Sequence, residues 1–185
     1  MEPFLALRRA PWVVLARYDD PWPHTECAAL RERGGRLVRL DGREMSDPRA
    51  VFRAFAREFS FPGYFGHNWD ALADCLHDWH GHGYGGAKDD TVVLIDRADD
   101  LHGADFLGLL VSVLCQAAWQ ANLQLDADGL PNGRTPFPLH FVFLLHDLPP
   151  AALAAAVATG ADVHTAFDEG RLTATLAGED WPGPG

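Results

Sequence analysis

The sequence predicts an α/β fold: a small, mainly parallel β-sheet covered by helices, with an extra β–α unit at the N-terminus. Three observations carry this prediction. Strand-like and helix-like segments alternate along the chain, the pattern of a layered α/β domain. Two strand-length segments, TVVLID at 91–96 and LHFVFLL at 139–145, are apolar throughout, as strands covered on both faces must be. Residues 103–124 read as a helix that is apolar nearly all round, broken only by Gln116, Gln120 and Gln124, so that helix is expected to be deeply buried.

The other elements follow in order. WVVLARY at 12–18 is a strand rich in β-branched and aromatic residues, closed by DDPWP. A short helix runs from His24 to Arg33 and ends at Gly34-Gly35. Arg36 to Leu40 alternates as a strand, closed by Asp41-Gly42. Asp47 is an N-cap and Pro48 the first residue of a helix reaching about Phe59, with Val51, Phe52, Phe55 and Phe59 inward and Arg49, Arg53 and Arg57 in solvent. After a break at Pro62-Gly63, a helix over 68–79 has Trp69, Leu72, Leu76 and Trp79 as its apolar face. A Gly/His-rich loop follows at 80–90 and another loop at 125–138. Beyond 146 the sequence reads as an Ala-rich helix and a tail, with residues 1–10 and 178–185 frayed.

At 185 residues and 48% hydrophobic, the chain can bury a core without staples. Three cysteines, Cys27, Cys75 and Cys115, suit reduced thiols in a cytoplasmic protein rather than a disulfide framework. The opening MEPFLALRRAPWVV has no apolar core or cleavage site of a signal peptide. The longest apolar run, Phe106 to Leu114, falls short of the ~20 residues of a membrane span. Fifteen basic residues against 26 acidic ones argue against direct nucleic-acid binding, which needs the opposite excess. The imbalance is local: residues 61–130 hold eleven aspartates against only Lys88 and Arg97. An electrostatic function is therefore expected there, toward a cationic partner.

The informative stretch is FPGYFGHNWDALADCLHDW, residues 61–79. A turn at Pro62, Gly63 and Gly66 delivers Tyr64, Phe65 and His67 to a helix start that Asn68 can cap. Asp70 falls in the first turn, where the helix dipole favours negative charge. Asp70, Asp74 and Asp78 then share one face at spacings of four, an arrangement that destabilises an isolated helix by roughly 0.2–0.5 kcal/mol per pair. A solvated face in an acidic protein explains this blandly. A docking surface for a cationic partner explains it functionally, because binding relieves the repulsion.

This segment resembles the central motif of the barstar family, intracellular inhibitors of barnase-type ribonucleases. The matching features are Pro-x-Tyr-aromatic-Gly-x-Asn, the Asp-Ala-Leu triplet at 70–72, Asp74-Cys75-Leu76 and Trp79, with flanking elements in the same order over about 36–146. The resemblance implies a barstar-like domain at 36–146. To it are added an N-terminal β–α extension packed on the core at 1–35 and a C-terminal helix and tail extension at 147–185. It also implies a monomeric, non-enzymatic protein without a cofactor. Its partner would be a basic extracellular barnase-like ribonuclease, met through Tyr64, Gly66, Asn68, Asp70 and Asp74. Asp74 would enter the nuclease active site, Tyr64 would pack on its catalytic base, and Asp70 would pair with its basic groups.

Two departures bear on the partner. Ala73 stands where the family commonly has tryptophan, and 106–125 carries no acid where the family uses one. The alternative is an immunity or interaction module for a different toxin or enzyme on the same scaffold. A metal site built from His77, His80 and His82 with Asp74 and Asp78 is disfavoured, because His80 and His82 lie in a glycine-rich loop without a regular ligand spacing.

Overall fold

The computed structural model describes residues 2–78, 90–125, 128 and 130–177. Strands β1 (Val13–Arg17), β2 (Arg36–Asp41), β3 (Thr91–Asp96), β4 (Leu139–Leu145), β5 (Val163–Asp168) and β6 (Arg171–Leu176) form one sheet in the order β2-β3-β4-β1-β6-β5. The β2/β3, β3/β4 and β4/β1 pairings are parallel, and β1/β6 and β6/β5 are antiparallel. The helices are α1 (Pro21–Glu32), α2 (Pro48–Phe59), α3 (Trp69–Asp78), α4 (Leu107–Leu123) and the short α5 (Ala154–Val157). The fold is thus α/β, with a mostly parallel central sheet covered by helices.

The apolar runs of β3 and β4 are explained by their two faces. Val93, Ile95, Phe141 and Phe143 point into a large core shared with α2, α3 and α4. Val92, Leu94, Val142 and Leu144 point the other way, into a smaller cluster with Cys27 and Leu30 of α1 and with Leu5 and Ala6. The chain moves across the sheet from β1 to β2 through α1, then returns from β2 to β4 through the other helices. Right-handed crossovers that reverse direction in this way place their helices on opposite faces. Helix α2 matches its expected start: the Asp47 carboxylate accepts from the Ala50 N–H at 2.9 Å, and Val51, Phe52, Phe55 and Phe59 are buried. Helix α1 begins earlier than expected, at Pro21, because Asp20 caps it through the Trp22 N–H, and prolines are free of penalty in a first turn.

Two expectations about the ends are overturned. Residues 3–10 are not frayed: Leu5 is fully buried and its N–H donates to Glu26 at 3.0 Å. Phe4 packs against Trp22, whose other contact is the Arg171 guanidinium at 4.8 Å, so Trp22 plugs a turn. From 147 to 177 the chain is not a helix and tail: among the described residues beyond 146 only Ala154–Val157 is α-helical, and residues 163–176 form a hairpin that adds β6 and β5 to the sheet edge. Residues 178–185, expected to be frayed, lie outside the described residues. Its turn places Glu169 and Gly170 at φ 49° and 81°, the doubly positive geometry of a two-residue hairpin. Helix α4 approaches this region closely at Gly108, where a Cβ would meet the Ala156 carbonyl at 2.7 Å and the Gly160 nitrogen at 2.8 Å. The Ser112 hydroxyl donates to the Ala161 carbonyl at 2.8 Å and fastens the same contact. No helix among the described residues is long and apolar enough to cross a membrane.

Candidate protein-binding site

The site is built from the turn at 61–68 and from α3. Phe65 is the turn's anchor: it is buried and packs on Phe61 at 5.0 Å and edge-on to Phe52 of α2 at 6.4 Å. Trp69 continues that seam, edge-on to Phe52 at 4.8 Å and tilted against Phe106 at 6.3 Å. Beside the inward-packed Phe65, Tyr64 points outward and is 70% exposed. His67 takes a left-handed backbone conformation at φ 48°, with its Nδ1 2.9 Å from the Phe65 carbonyl, and this turns the chain into the helix. Gly66 is small for a reason: a Cβ there would sit 3.0 Å from the Asn68 amide, which donates to the Gly66 carbonyl at 3.2 Å.

Asn68 caps α3 as its sequence position requires. Its side-chain oxygen accepts from the Ala71 N–H at 2.8 Å, satisfying one of the first-turn donors. Leu72, Ala73 and Leu76 are buried beneath the helix, so Asp70 and Asp74 stand on the opposite face. Both are exposed, and among the described residues neither carboxylate has an ion pair or a hydrogen bond. Four helical residues separate them by about 6 Å along the axis. Gly66 and Asn68 are also exposed, so all five expected residues are open to solvent, on the turn and the adjoining helix.

The third aspartate departs from this picture. Asp78 is only partly exposed and is ion-paired with Arg134, with His77 Nε2 at 3.1 Å. The segment carrying Arg134 is held by Gln124, a residue that sequence reading treated only as a polar interruption. Gln124 ends α4 at φ 50°, is buried, donates to the His77 carbonyl at 3.2 Å and accepts from the Asn132 amide at 3.1 Å. Burial holds the His77 imidazole below its usual range, against the opposing effects of the Ala73 carbonyl and Asp74. Burial, with Asp74 beside it, likewise pushes the Cys75 thiol up. Helix α3 therefore divides into an open, doubly negative stretch from Asp70 to Asp74 and a last turn neutralised from within.

Trp79, His80, His82 and most of the 80–90 loop lie outside the described residues. Among the described residues no three His, Cys, Asp or Glu side chains are grouped to hold a metal ion. Cys27 and Cys115 are buried and Cys75 half-buried; all three are free thiols. Beside α3, helix α4 offers no carboxylate to solvent, and its exposed positions include Leu109 and Gln116.

Comparison with known proteins bears on this surface. The chain has no match among curated proteins. The model of the family described as Barstar (barnase inhibitor) matches residues 35–128, which hold β2, α2, α3, β3 and α4. That span takes in the whole surface from Tyr64 to Asp74 and covers more than half of the chain. The chain belongs to the barstar family.

Proposed function

We propose that this protein is an intracellular inhibitor of a secreted, barnase-type ribonuclease, acting by occlusion rather than by chemistry. A ribonuclease site must be cationic to hold RNA. An anionic helix can fill it with charge-assisted hydrogen bonds in place of substrate phosphates. Asp74 is the carboxylate that enters the site, Asp70 pairs with flanking basic groups, and Tyr64 packs on the catalytic base. Gly66 lets the partner backbone approach the turn, and Asn68 holds the helix start in place. The observation that carries this reading is that Asp70 and Asp74 are exposed and have no partner among the described residues. On this reading the protein is cytoplasmic, works as a monomer and protects the producing cell before the nuclease is exported.

The test is titration of the purified full chain against ribonucleases of the barnase class. Stoichiometric inhibition is expected, and Asp74→Ala should weaken it severely. Truncating a charge buried against an oppositely charged partner generally costs about 2–5 kcal/mol or more, a generalisation for which the barnase–barstar pair is itself a worked example. Absence of inhibition by the wild type, or full inhibition by Asp74→Ala, overturns the proposal. One observation favours a partner that departs from barnase: α4 carries no acid where the family uses one, and Ala73 stands where the family commonly has tryptophan. The same scaffold would then serve as an immunity module for a different toxin or enzyme. Inhibition of a non-barnase toxin, still lost in Asp74→Ala, is the result that selects this second reading.

A further inference from the structure

The arginines outside the α3 surface divide into two kinds. Arg17, Arg33, Arg43, Arg57, Arg134 and Arg171 each hold a carboxylate. Arg31 and Arg39, like Arg49, Arg53 and Arg97, hold none among the described residues; they come from different elements, the last turn of α1 and the middle of β2. They converge on one place, a groove of about 150 Å³ between α1 and the sheet face beneath it. Leu37 and Leu94 supply its apolar base, Ala28 and Cys27 its helical wall, and His24 one end.

Each part of this groove has a physical consequence. Burial, despite the nearby Arg39 charge, pushes the Cys27 thiol up to about 11, so this wall presents a neutral, apolar sulfur. His24 is turned toward its own chain, with Nε2 2.7 Å from the Tyr18 carbonyl. Glu26 of α1 accepts from the Leu5 N–H, and among the described residues neither Glu26 nor Glu32 forms an ion pair with Arg31 or Arg39. What remains is a largely apolar slot lined also by two arginines without an ion-pair partner among the described residues, side chains that recognise carboxylates through paired N–H donors. The slot has room for about five groups of water size, which suits a short carbon stem and excludes a nucleotide. Helix α1 lies before the span matched by the family, so one wall of the groove comes from outside that span.

We infer that the groove between α1 and β2 binds a small organic acid, with its carboxylate on Arg31 and Arg39 and a stem of about three to five carbons on Leu37 and Leu94. The experiment is calorimetric titration of the full chain with butyrate. Butylammonium serves as the same stem with opposite charge, and inorganic phosphate as charge without a stem. Butyrate should saturate the protein with a dissociation constant of about 1 mM or tighter. Arg39→Gln or Arg31→Gln should weaken it about tenfold. Ala28→Trp, which fills the slot and keeps both arginines, should abolish binding with the circular dichroism unchanged. No saturation by about 10 mM butyrate overturns the inference. So does equal binding of butylammonium, or butyrate binding undiminished in Ala28→Trp. Phosphate binding as tightly as butyrate would mark a plain anion patch and also overturns it. The groove shares no residue with α3, and no nuclease enters the assay, so this outcome is independent of the inhibitor proposal.

Discussion

Asp70 and Asp74 on α3, and Asp96 at the end of β3 with Asp99 just beyond it, come from the same acid-rich stretch, but the fold uses them in opposite ways. The Asp99 carboxylate accepts from the backbone N–H groups of His146, Asp147 and Leu148 at 2.8, 2.9 and 2.8 Å. Burial alone would raise its pKa, yet these donors outweigh burial and hold it below the usual carboxylate range. Asp96 accepts from the Arg97 N–H at 2.9 Å and lies 2.6 Å from His146 Nε2. On α3, by contrast, Asp70 and Asp74 face solvent without any such partner among the described residues. Acid density in a sequence therefore does not identify a recognition surface. Unspent hydrogen-bonding capacity on an exposed, well-anchored helix does.

The largest expected effect breaks this contrast at its internal end. Asp99→Ala strips three backbone donors of a charged acceptor and should cost about 3–5 kcal/mol of unfolding free energy in urea. It should leave nuclease inhibition by the surviving folded protein unchanged. A stability loss below about 1 kcal/mol would show that the turn after β4 does not depend on this carboxylate.

A comparable loss is expected from acid acting on His140, a fully buried side chain whose ring nitrogens lie 2.8 Å from the Leu7 carbonyl and 3.2 Å from that of Pro11. Burial lowers its pKa from 6.5 to about 4, outweighing both carbonyl contacts. The unfolded chain therefore takes up a proton below pH 6.5 that the folded chain refuses until about pH 4. Stability should be flat in this group above pH 6.5 and fall by about 3 kcal/mol on descending to pH 4. Urea denaturation across that window measures it. The slope should flatten in His140→Asn, and an unchanged slope would assign the acid sensitivity elsewhere. Asp99 acts lower: its contribution persists above pH 3.8 and is lost as pH falls through its depressed folded value.

How much of this was legible in the sequence depends on how local each determinant is. The caps at Asp47 and Asn68 and the two-faced strands β3 and β4 are short-range signals, and each appears as expected. The hairpin was hidden because VHTAFD and RLTATL follow an alanine run that favours helix, and because their turn is Glu-Gly rather than Asn-Gly or Asp-Gly. The burial of Leu5 was hidden because FLAL has no period to betray it. On α3 the sequence counts three equivalent aspartates. The neutralisation of Asp78 by Arg134, through a segment held by Gln124, is a contact between distant parts of the chain that no spacing rule encodes.

The smallest effect sharpens the comparison at its open end. Asp74→Asn removes a like-charge neighbour and should raise stability by about 0.2–0.5 kcal/mol, whereas in Asp70→Asn the same relief is offset by the lost helix-dipole interaction of about 0.3–1 kcal/mol. A loss of 1 kcal/mol or more would reveal an internal partner for these carboxylates and make them resemble Asp99.

The central claim, that the open stretch of α3 is the docking surface, is tested most directly by stopped-flow association with an inhibited ribonuclease at rising ionic strength. Exposed charges are screened beyond about 10 Å at 0.1 M salt and about 3 Å at 1 M. The wild-type association rate constant should fall by about tenfold or more over that range. The Asp70→Asn/Asp74→Asn double variant should start slower and respond far less. Equal salt dependence in the two proteins would contradict the account, because the steering charge would then lie elsewhere on the molecule.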